Sequence, residues 1–314
     1  MTARGGRRTL TAVLSRSVRL AAILGAIGCM LYGCASKFVV DAADGGQVVA
    51  PPDASSPESG PGPTPDAGAD SGLGRVTDGL VAFLAFREDG GTVVHDTAPE
   101  GNRLELLVAR APAPDGDGGS LPVATSGPTI AWTSPGMSVV GRVVIASTAN
   151  ASAIQSRCNT SNELTVEAWI KPSSVDQDGP ARIVTMSYTG TVPNRNFTLA
   201  QSGDHFVFRL RNTELDAGIV ERPSDGGIAL ALTHVAVTAR ANGELTFWVN
   251  GAPTTHVLPP GGFGFQPFRL ALANEIDGFT SERLWRGDYR LVAVYCRALS
   301  EAELRRNREL GPNP

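Results

Sequence analysis

His234-Val235-Ala236-Val237-Thr238, Asn242-Gly243, Leu245-Thr246-Phe247-Trp248-Val249, Asn250-Gly251 and Thr254-Thr255-His256-Val257-Leu258 follow one another almost without a gap. The three longer pieces are rich in β-branched and aromatic residues, which suit a pleated, half-buried surface. The two Asn-Gly pairs between them suit the positive φ angles of tight hairpin turns. Three strands joined by two such turns predict an antiparallel meander.

Strand signals continue in both directions from there. Leu164-Thr165-Val166-Glu167-Ala168-Trp169-Ile170 alternates with period two, placing Leu164, Val166, Ala168 and Ile170 on one face and Glu167 and Trp169 on the other. A fully exposed second face would display Trp169 at a cost, so the ring is expected under a loop or sheet edge, with a binding surface as the alternative. Gly79 to Phe86, Ile183 to Ser187, Phe197 to Ala200, Phe206 to Leu210 and Leu291 to Tyr295 read as further strands. Many short strands separated by turn residues predict an all-β, two-sheet antiparallel sandwich rather than a parallel sheet. One helix is expected, over Glu301 to Leu310. Ser300 caps it and Glu303 reaches back, the reciprocal pattern of a capping box.

Bulk composition agrees with a turn-rich chain. Among 314 residues there are 36 glycines and 22 prolines, with 42% hydrophobic and 18% charged residues and a net charge of −4. A mildly acidic chain without a basic cluster in its folded part lacks the positive face that nucleic-acid phosphates require. Lysine occurs only at Lys37 and Lys171, and the far more numerous arginines form no single patch in sequence.

The first residues read as a processing signal. Arg4, Arg7, Arg8, Arg16 and Arg19 make a basic front, no acid precedes Asp41, and an apolar run extends from Leu20 to Tyr32. That run is short for a membrane span, which needs about 20 apolar residues, and suits a signal-peptide core. Leu31-Tyr32-Gly33-Cys34 resembles the lipobox of bacterial lipoproteins, which implies cleavage before Cys34, lipid attachment at Cys34 and Cys34 as the mature N-terminus. Tyr32 departs from the usual residue there, and Ala26-Ile27-Gly28-Cys29 is a second candidate box. An ordinary secretory signal cleaved near Ala35, or an uncleaved anchor, is the alternative. Ala35 lacks the aspartate associated with inner-membrane retention, so the resemblance implies an exported, outer-membrane or cell-surface lipoprotein. Residues 35–78 are dominated by Ala, Gly, Pro, Ser and Asp, too poor in apolar surface to offset chain entropy. They are expected to be a disordered tether spanning roughly 30 Å as a flexible coil. The folded domain is expected over 79–312.

Within that domain, four segments in order resemble concanavalin A-like, laminin G-type domains. They are Gly79-Leu80-Val81-Ala82-Phe83 with Gly90 to Asp96, Leu164 to Pro172, Thr233 to Thr238 with Phe247 to Gly251, and Leu291 to Ser300. The resemblance implies a jelly-roll of two antiparallel sheets with about a dozen strands. It also implies that the Leu164 and Leu291 strands are antiparallel neighbours. Cys158 and Cys296 would then meet and form a disulfide in an exported, oxidising setting, with two free buried thiols as the alternative. Such domains often hold calcium, for which Asp96 and Asp277 are candidate ligands; solvated loop acids are the competing reading.

The fold supports lectins, adhesion modules and glycosidases alike, so function must be read from sites. Glycosidases of this fold carry three acids spaced along one strand, two of them able to act as nucleophile and acid. Glu214-Leu215-Asp216 is followed next by Glu221, and Glu275-Ile276-Asp277 by Glu282, so neither run places a third acid at the needed spacing. His95, His205, His234 and His256 are scattered without metal spacing, and His234 is expected to make a structural hydrogen bond. No Gly-x-Ser-x-Gly elbow is present. A non-catalytic module binding polysaccharide or an envelope protein is therefore expected. A glycan-cleaving enzyme of the same fold and a purely structural or adhesion lipoprotein are the alternatives. Polar and aromatic residues in expected loops, suited to hydrogen-bonding and stacking on sugars, are Arg182, Asn194, Arg195, Asn274, Glu275 and Trp285. Arg195 and Glu275 could equally pair with each other.

Overall fold

In the computed structural model, residues 74–110, 129–188, 195–215, 219–276 and 283–312 are described, all within the compact unit Pro65–Pro314. Cys34, Asn194, Asp216, Asp277 and Glu282 lie outside the described residues.

Among the described residues, sixteen strands and two helices are formed. The strands are β1 (Leu80–Leu84), β2 (Val93–His95), β3 (Glu105–Arg110), β4 (Ile130–Trp132), β5 (Met137–Val139), β6 (Val143–Ser147), β7 (Leu164–Pro172) and β8 (Gln177–Ser187). They continue as β9 (Arg195–Gly203), β10 (His205–Arg211), β11 (Ile219–Pro223), β12 (Thr233–Ala239), β13 (Glu244–Val249), β14 (Ala252–Val257), β15 (Arg269–Leu272) and β16 (Gly287–Tyr295). Helix α1 is Ser152–Ser161 and α2 is Glu301–Leu310. The strands make two antiparallel sheets of eight. Sheet A runs β14-β13-β12-β7-β16-β5-β4, with β1 also on β16, and sheet B runs β11-β10-β9-β8-β15-β6-β3-β2. Sixteen strands exceed the dozen implied by the resemblance, because short pieces such as β2, β4 and β5 are only three residues long.

The expected meander is β12-β13-β14, with Val237 opposite Phe247 and Phe247 opposite Thr254. Its two Asn-Gly turns differ. At the second, Asn250 and Gly251 both have positive φ, at 51° and 87°, as the mirror-image turn requires. At the first, only Gly243 does, and the Asn242 side chain accepts from Glu244 N at 3.0 Å instead.

Between the sheets lies one core, including Leu164, Val166, Ile170, Phe197, Leu199, Phe208, Val237, Phe247, Trp285 and Tyr289. The alternation of β7 brings Leu164, Val166 and Ile170 to it, and that of β9 brings Phe197 and Leu199. A second apolar cluster covers the outer face of sheet A: Val76, Leu80, Ala236, Leu291, Ala293, Tyr295, Leu299 and Leu304, with Trp169 and Trp248 packed at its margin. Helix α2 supplies Leu304 to it and is held by the anticipated capping box. Sheet A is thus buried on both faces here, which is why every residue of β12 is buried.

The folded part begins before Gly79. Arg75 and Val76 are buried. The Val76 amide donates to Asn307 Oδ1 at 3.0 Å, so residues 75–76 belong to the domain rather than to the expected tether. One helix went unanticipated. Helix α1 gets no cap bond from its N-cap residue Ala151, the Ala153 amide donating to Asn102 Oδ1 instead, and it buries only Ile154 and Cys158. Cys158 is disulfide-bonded to Cys296 across 138 residues of sequence, closure of a loop that removes roughly 4–5 kcal/mol of unfolded-chain entropy.

Candidate functional site

Several expected site residues come together, but as a buried cluster beside sheet B. Arg182 Nε donates to Glu275 Oε2 at 3.0 Å and Arg182 Nη1 to the Pro180 carbonyl at 2.9 Å. Arg195 Nη2 stands 3.9 Å from the same Glu275 oxygen, so the anticipated pairing of Arg195 with Glu275 is present. Asn274 Oδ1 accepts from Glu275 N at 2.8 Å. Arg182, Asn274 and Glu275 are all at most 2% exposed. Burial pushes the Arg182 guanidinium down to about 10; Glu275 opposes that fall, and Arg195, Arg283 and Arg209 add to it. The cluster is therefore interior rather than a presented surface.

Trp285 does not form an exposed stacking platform. Its ring lies in the inter-sheet core, 4.9 Å from Tyr289 in a T-shaped pair, and its Nε1 donates to Gln201 Oε1 at 3.3 Å. The residue is flanked by Leu284, whose backbone bridges to Arg182, and that pairing turns the indole inward.

Asp96 is buried and engaged by the backbone. Its carboxylate accepts from the amides of Phe83 at 2.8 Å, Ala98 at 2.9 Å and Leu104 at 3.1 Å. Burial raises its pKa, and these three amides oppose the rise. Asp96 thus closes the loops around β1 and β2. Among the described residues no three His, Cys, Asp or Glu side chains gather in a metal-binding group.

A second interior network lies on the outer face of sheet A. Glu167 Oε1 accepts from Arg75 Nη1 at 2.7 Å and lies 3.0 Å from His234 Nε2, while Oε2 accepts from Asn307 at 2.9 Å. Burial works against the Glu167 charge, yet the His234 hydrogen bond and the Arg75 charge hold its pKa down at about 2. His234 has the structural role expected of it.

An open site lies at one end of the sandwich, where β5 and β7 finish and β16 begins. A cavity of about 290 Å³ is lined by Arg142, Ser173, Ser174, Asp176, Gln177, Leu284 and Arg286. Its volume is near the lower end of the roughly 300–1,000 Å³ usual for small-molecule sites. The strap leading into β16 is pinned on both sides: Arg182 N donates to Arg283 O at 2.8 Å and Trp285 N to Ala273 O at 2.8 Å. Arg286 is held more tightly still. Its amide donates to Gln177 Oε1 at 2.7 Å. Its carbonyl accepts from Gln177 Nε2 at 2.8 Å, Ser173 Oγ at 3.0 Å and Ser173 N at 3.1 Å. Gly287, at φ +155°, makes this path possible, because a Cβ there would lie 2.5 Å from both the Lys171 carbonyl and the Trp285 ring. On the facing loop, the Ser174 hydroxyl donates to Asp176 O at 2.8 Å and accepts from Asp176 N at 3.2 Å. Asp176 and Arg286 are exposed, and among the described residues neither side chain has a hydrogen-bond or ion-pair partner. None of these lining residues was expected from the sequence, because they come from three distant segments with no spacing to recognise.

A family model described as the concanavalin A-like lectin/glucanases superfamily matches residues 146–305. No curated protein matches the sequence. Among solved structures, domain 4 of an extracellular arabinanase from Geobacillus stearothermophilus, in complex with arabinotriose, is similar at 15% identity and a TM-score of 0.48, covering 72% of this chain and 96% of that one. Trypanosoma rangeli sialidase in complex with sialic acid matches at 15% identity and a TM-score of 0.49, over 75% of this chain and 34% of that one. The binding domain of botulinum neurotoxin serotype D/C matches at 12% identity and a TM-score of 0.49, over 72% of this chain and 50% of that one.

Proposed function

Because the chain belongs to the concanavalin A-like lectin/glucanase superfamily, we propose that it is a non-catalytic module that binds polysaccharide outside the cytoplasm, through the cavity at the β7–β16 end of the sandwich. The observation that carries this reading is the cavity itself: about 290 Å³, lined mainly by hydroxyl, amide, carboxylate and guanidinium groups. Polyhydroxylated ligands need such a mixture of donors and acceptors. A buried carboxylate supports the non-catalytic part. Glu167 accepts from Arg75 at 2.7 Å and its pKa is held down at about 2, and such a carboxylate is a poor general acid, which must carry a proton near the working pH. The basic front, the apolar run and Gly33-Cys34 support export and lipid attachment at Cys34, with residues after it as a spacer.

Affinity electrophoresis of the full chain through gels containing a panel of polysaccharides, with calcium or with chelator, tests this reading. Retardation by a polysaccharide that gains no new reducing ends is the expected result. Release of reducing ends would replace the module with a glycan-cleaving enzyme. Unchanged mobility across the panel would sink glycan binding and turn attention to an envelope-protein partner.

A further inference from the structure

We propose that the ligand of this cavity carries a carboxylate, as in a uronic-acid polysaccharide, with Arg286 receiving the acid and Asp176 receiving neighbouring hydroxyls. The inference rests on the binding reading above and adds the chemical class of the ligand.

Three observations lead to it. First, among the described residues no Trp, Tyr or Phe lines the cavity, so none of them offers the ring stacking that sugars favour. What these residues offer is polar groups, of which charge-assisted hydrogen bonds are the strongest. Second, among the described lining residues the charged groups are the guanidiniums of Arg142 and Arg286 and the carboxylate of Asp176, so the cavity offers cationic donors as well as an acceptor. Third, Arg286 is built as a fixed presenter. Four hydrogen bonds hold its backbone, from 2.7 to 3.1 Å, while its guanidinium has no hydrogen-bond or ion-pair partner among the described residues. A planar guanidinium presented in this way matches a carboxylate through two parallel hydrogen bonds. Asp176 forms no ion pair with Arg286 although both line the same space. An acceptor-only carboxylate left facing a ligand suits hydroxyl donors. A sugar ring bearing one carboxylate and adjacent hydroxyls meets both requirements at once.

The full chain would be run through gels containing polygalacturonate, alginate, fully methyl-esterified polygalacturonate and neutral glucans and galactans. The expected result is retardation by an acidic polymer at least about tenfold stronger than by its methyl ester, falling about tenfold in Arg286→Gln. Arg240→Gln, which removes a guanidinium paired with Glu244 far along the chain from the cavity, should leave binding unchanged and so excludes a general charge effect. Near-ultraviolet circular dichroism checks that Arg286→Gln stays folded. Asp176→Asn should weaken binding of acidic and esterified polymers alike. Equal retardation by acid and ester, or insensitivity to Arg286→Gln, overturns the acidic ligand and leaves the polysaccharide module standing. No retardation by any polymer overturns both.

Discussion

Glu167 and Glu275 are both buried carboxylates facing arginines, yet their surroundings differ in a way that separates a structural staple from a loosely matched pair. Glu167 is contacted from three elements distant in sequence: Arg75 ahead of β1, His234 on β12 and Asn307 on α2. Both of its oxygens are satisfied. Arg75 goes on to donate to the carbonyls of Asn307 at 3.3 Å and Gly311 at 2.7 Å, so one carboxylate ties the chain's entry to the last helix. Glu275 receives one hydrogen bond from Arg182 and a looser ion pair from Arg195. Among the described residues its Oε1, and the Nη2 of Arg182, have no hydrogen-bond partner. The Glu167 network has its own bare atoms, Arg75 Nε and His234 Nδ1, but none on the carboxylate. Each unpartnered buried polar atom forfeits about 1–3 kcal/mol. The comparison teaches that saturation of the carboxylate, rather than the presence of an ion pair, marks which charge holds the fold together.

The largest effect should follow from removing the saturated charge. Glu167→Gln leaves the Arg75 guanidinium buried without its counter-ion, and breaking such a pair costs about 3–5 kcal/mol. Denaturant midpoints at pH 7 measure it, and a loss below about 1 kcal/mol would mean that Arg75 escapes to water. The same group sets an acid limb. Its pKa falls from the ordinary 4.5 to about 2 in the folded chain. The unfolded chain therefore takes up this proton first as pH falls. The stabilisation is complete above about 4.5 and is lost as pH drops toward 2, amounting to about 3 kcal/mol. Glu167→Gln should flatten that part of the stability profile, and an unchanged slope would place the acid sensitivity elsewhere.

A smaller effect should come from the helix that covers this network. The Ser300 hydroxyl accepts from Glu303 N at 3.3 Å, while Ser300 N donates to Glu303 at 2.7 Å. Ser300→Ala should cost about 1 kcal/mol. Because Asn307 on that helix bonds both Glu167 and the Val76 amide, hydrogen exchange should quicken at Val76 as well as within α2. Sheet B amides such as Phe208 should keep their protection. Uniform acceleration across both sheets would show that the two regions are not separable units.

Much of the frame was readable because it rests on local rules. Period-two alternation marked β7, the Asn-Gly pairs marked the meander, and Ser300 with Glu303 marked α2. Helix α1 was unreadable for the opposite reason: Ser152-Ala153-Ile154-Gln155-Ser156-Arg157-Cys158-Asn159-Thr160-Ser161 is poor in strong helix formers and follows Ala151, whose side chain makes no N-cap bond. Burial of Ile154 and the disulfide at Cys158 hold it, and both are tertiary. Arg182, Asn274 and Glu275 were legible as neighbours of interest, but nothing in their order along the chain says that they are buried. Trp285 does lie in a loop ahead of β16, but it is buried rather than presented, because the strap that carries it pairs with β8. The cavity depends on the side chain of Gln177 bonding the backbone of Arg286, 109 residues away. The local cue that remained was the Trp285-Arg286-Gly287 sequence, in which glycine allows the indole to pack while the arginine turns out.

The sharpest test of the comparison is replacement rather than removal. When both charges of a buried pair give way to apolar side chains of similar volume, the desolvation cost disappears together with the attraction, and the outcome depends on how many other groups relied on the pair. At Glu275 few do. Arg182→Met with Glu275→Leu abandons one carbonyl contact at Pro180, leaves Arg195 partly exposed, and eliminates the bare Nη2 and Oε1. The net change should stay within about 1 kcal/mol of the parent. Arg75→Met with Glu167→Leu instead strips partners from His234, from Asn307 and from the Gly311 carbonyl. It should cost clearly more than the sheet B replacement. Equal losses in the two double variants would show that Glu275 is as deeply integrated as Glu167, and that its bare oxygen has a partner in solution.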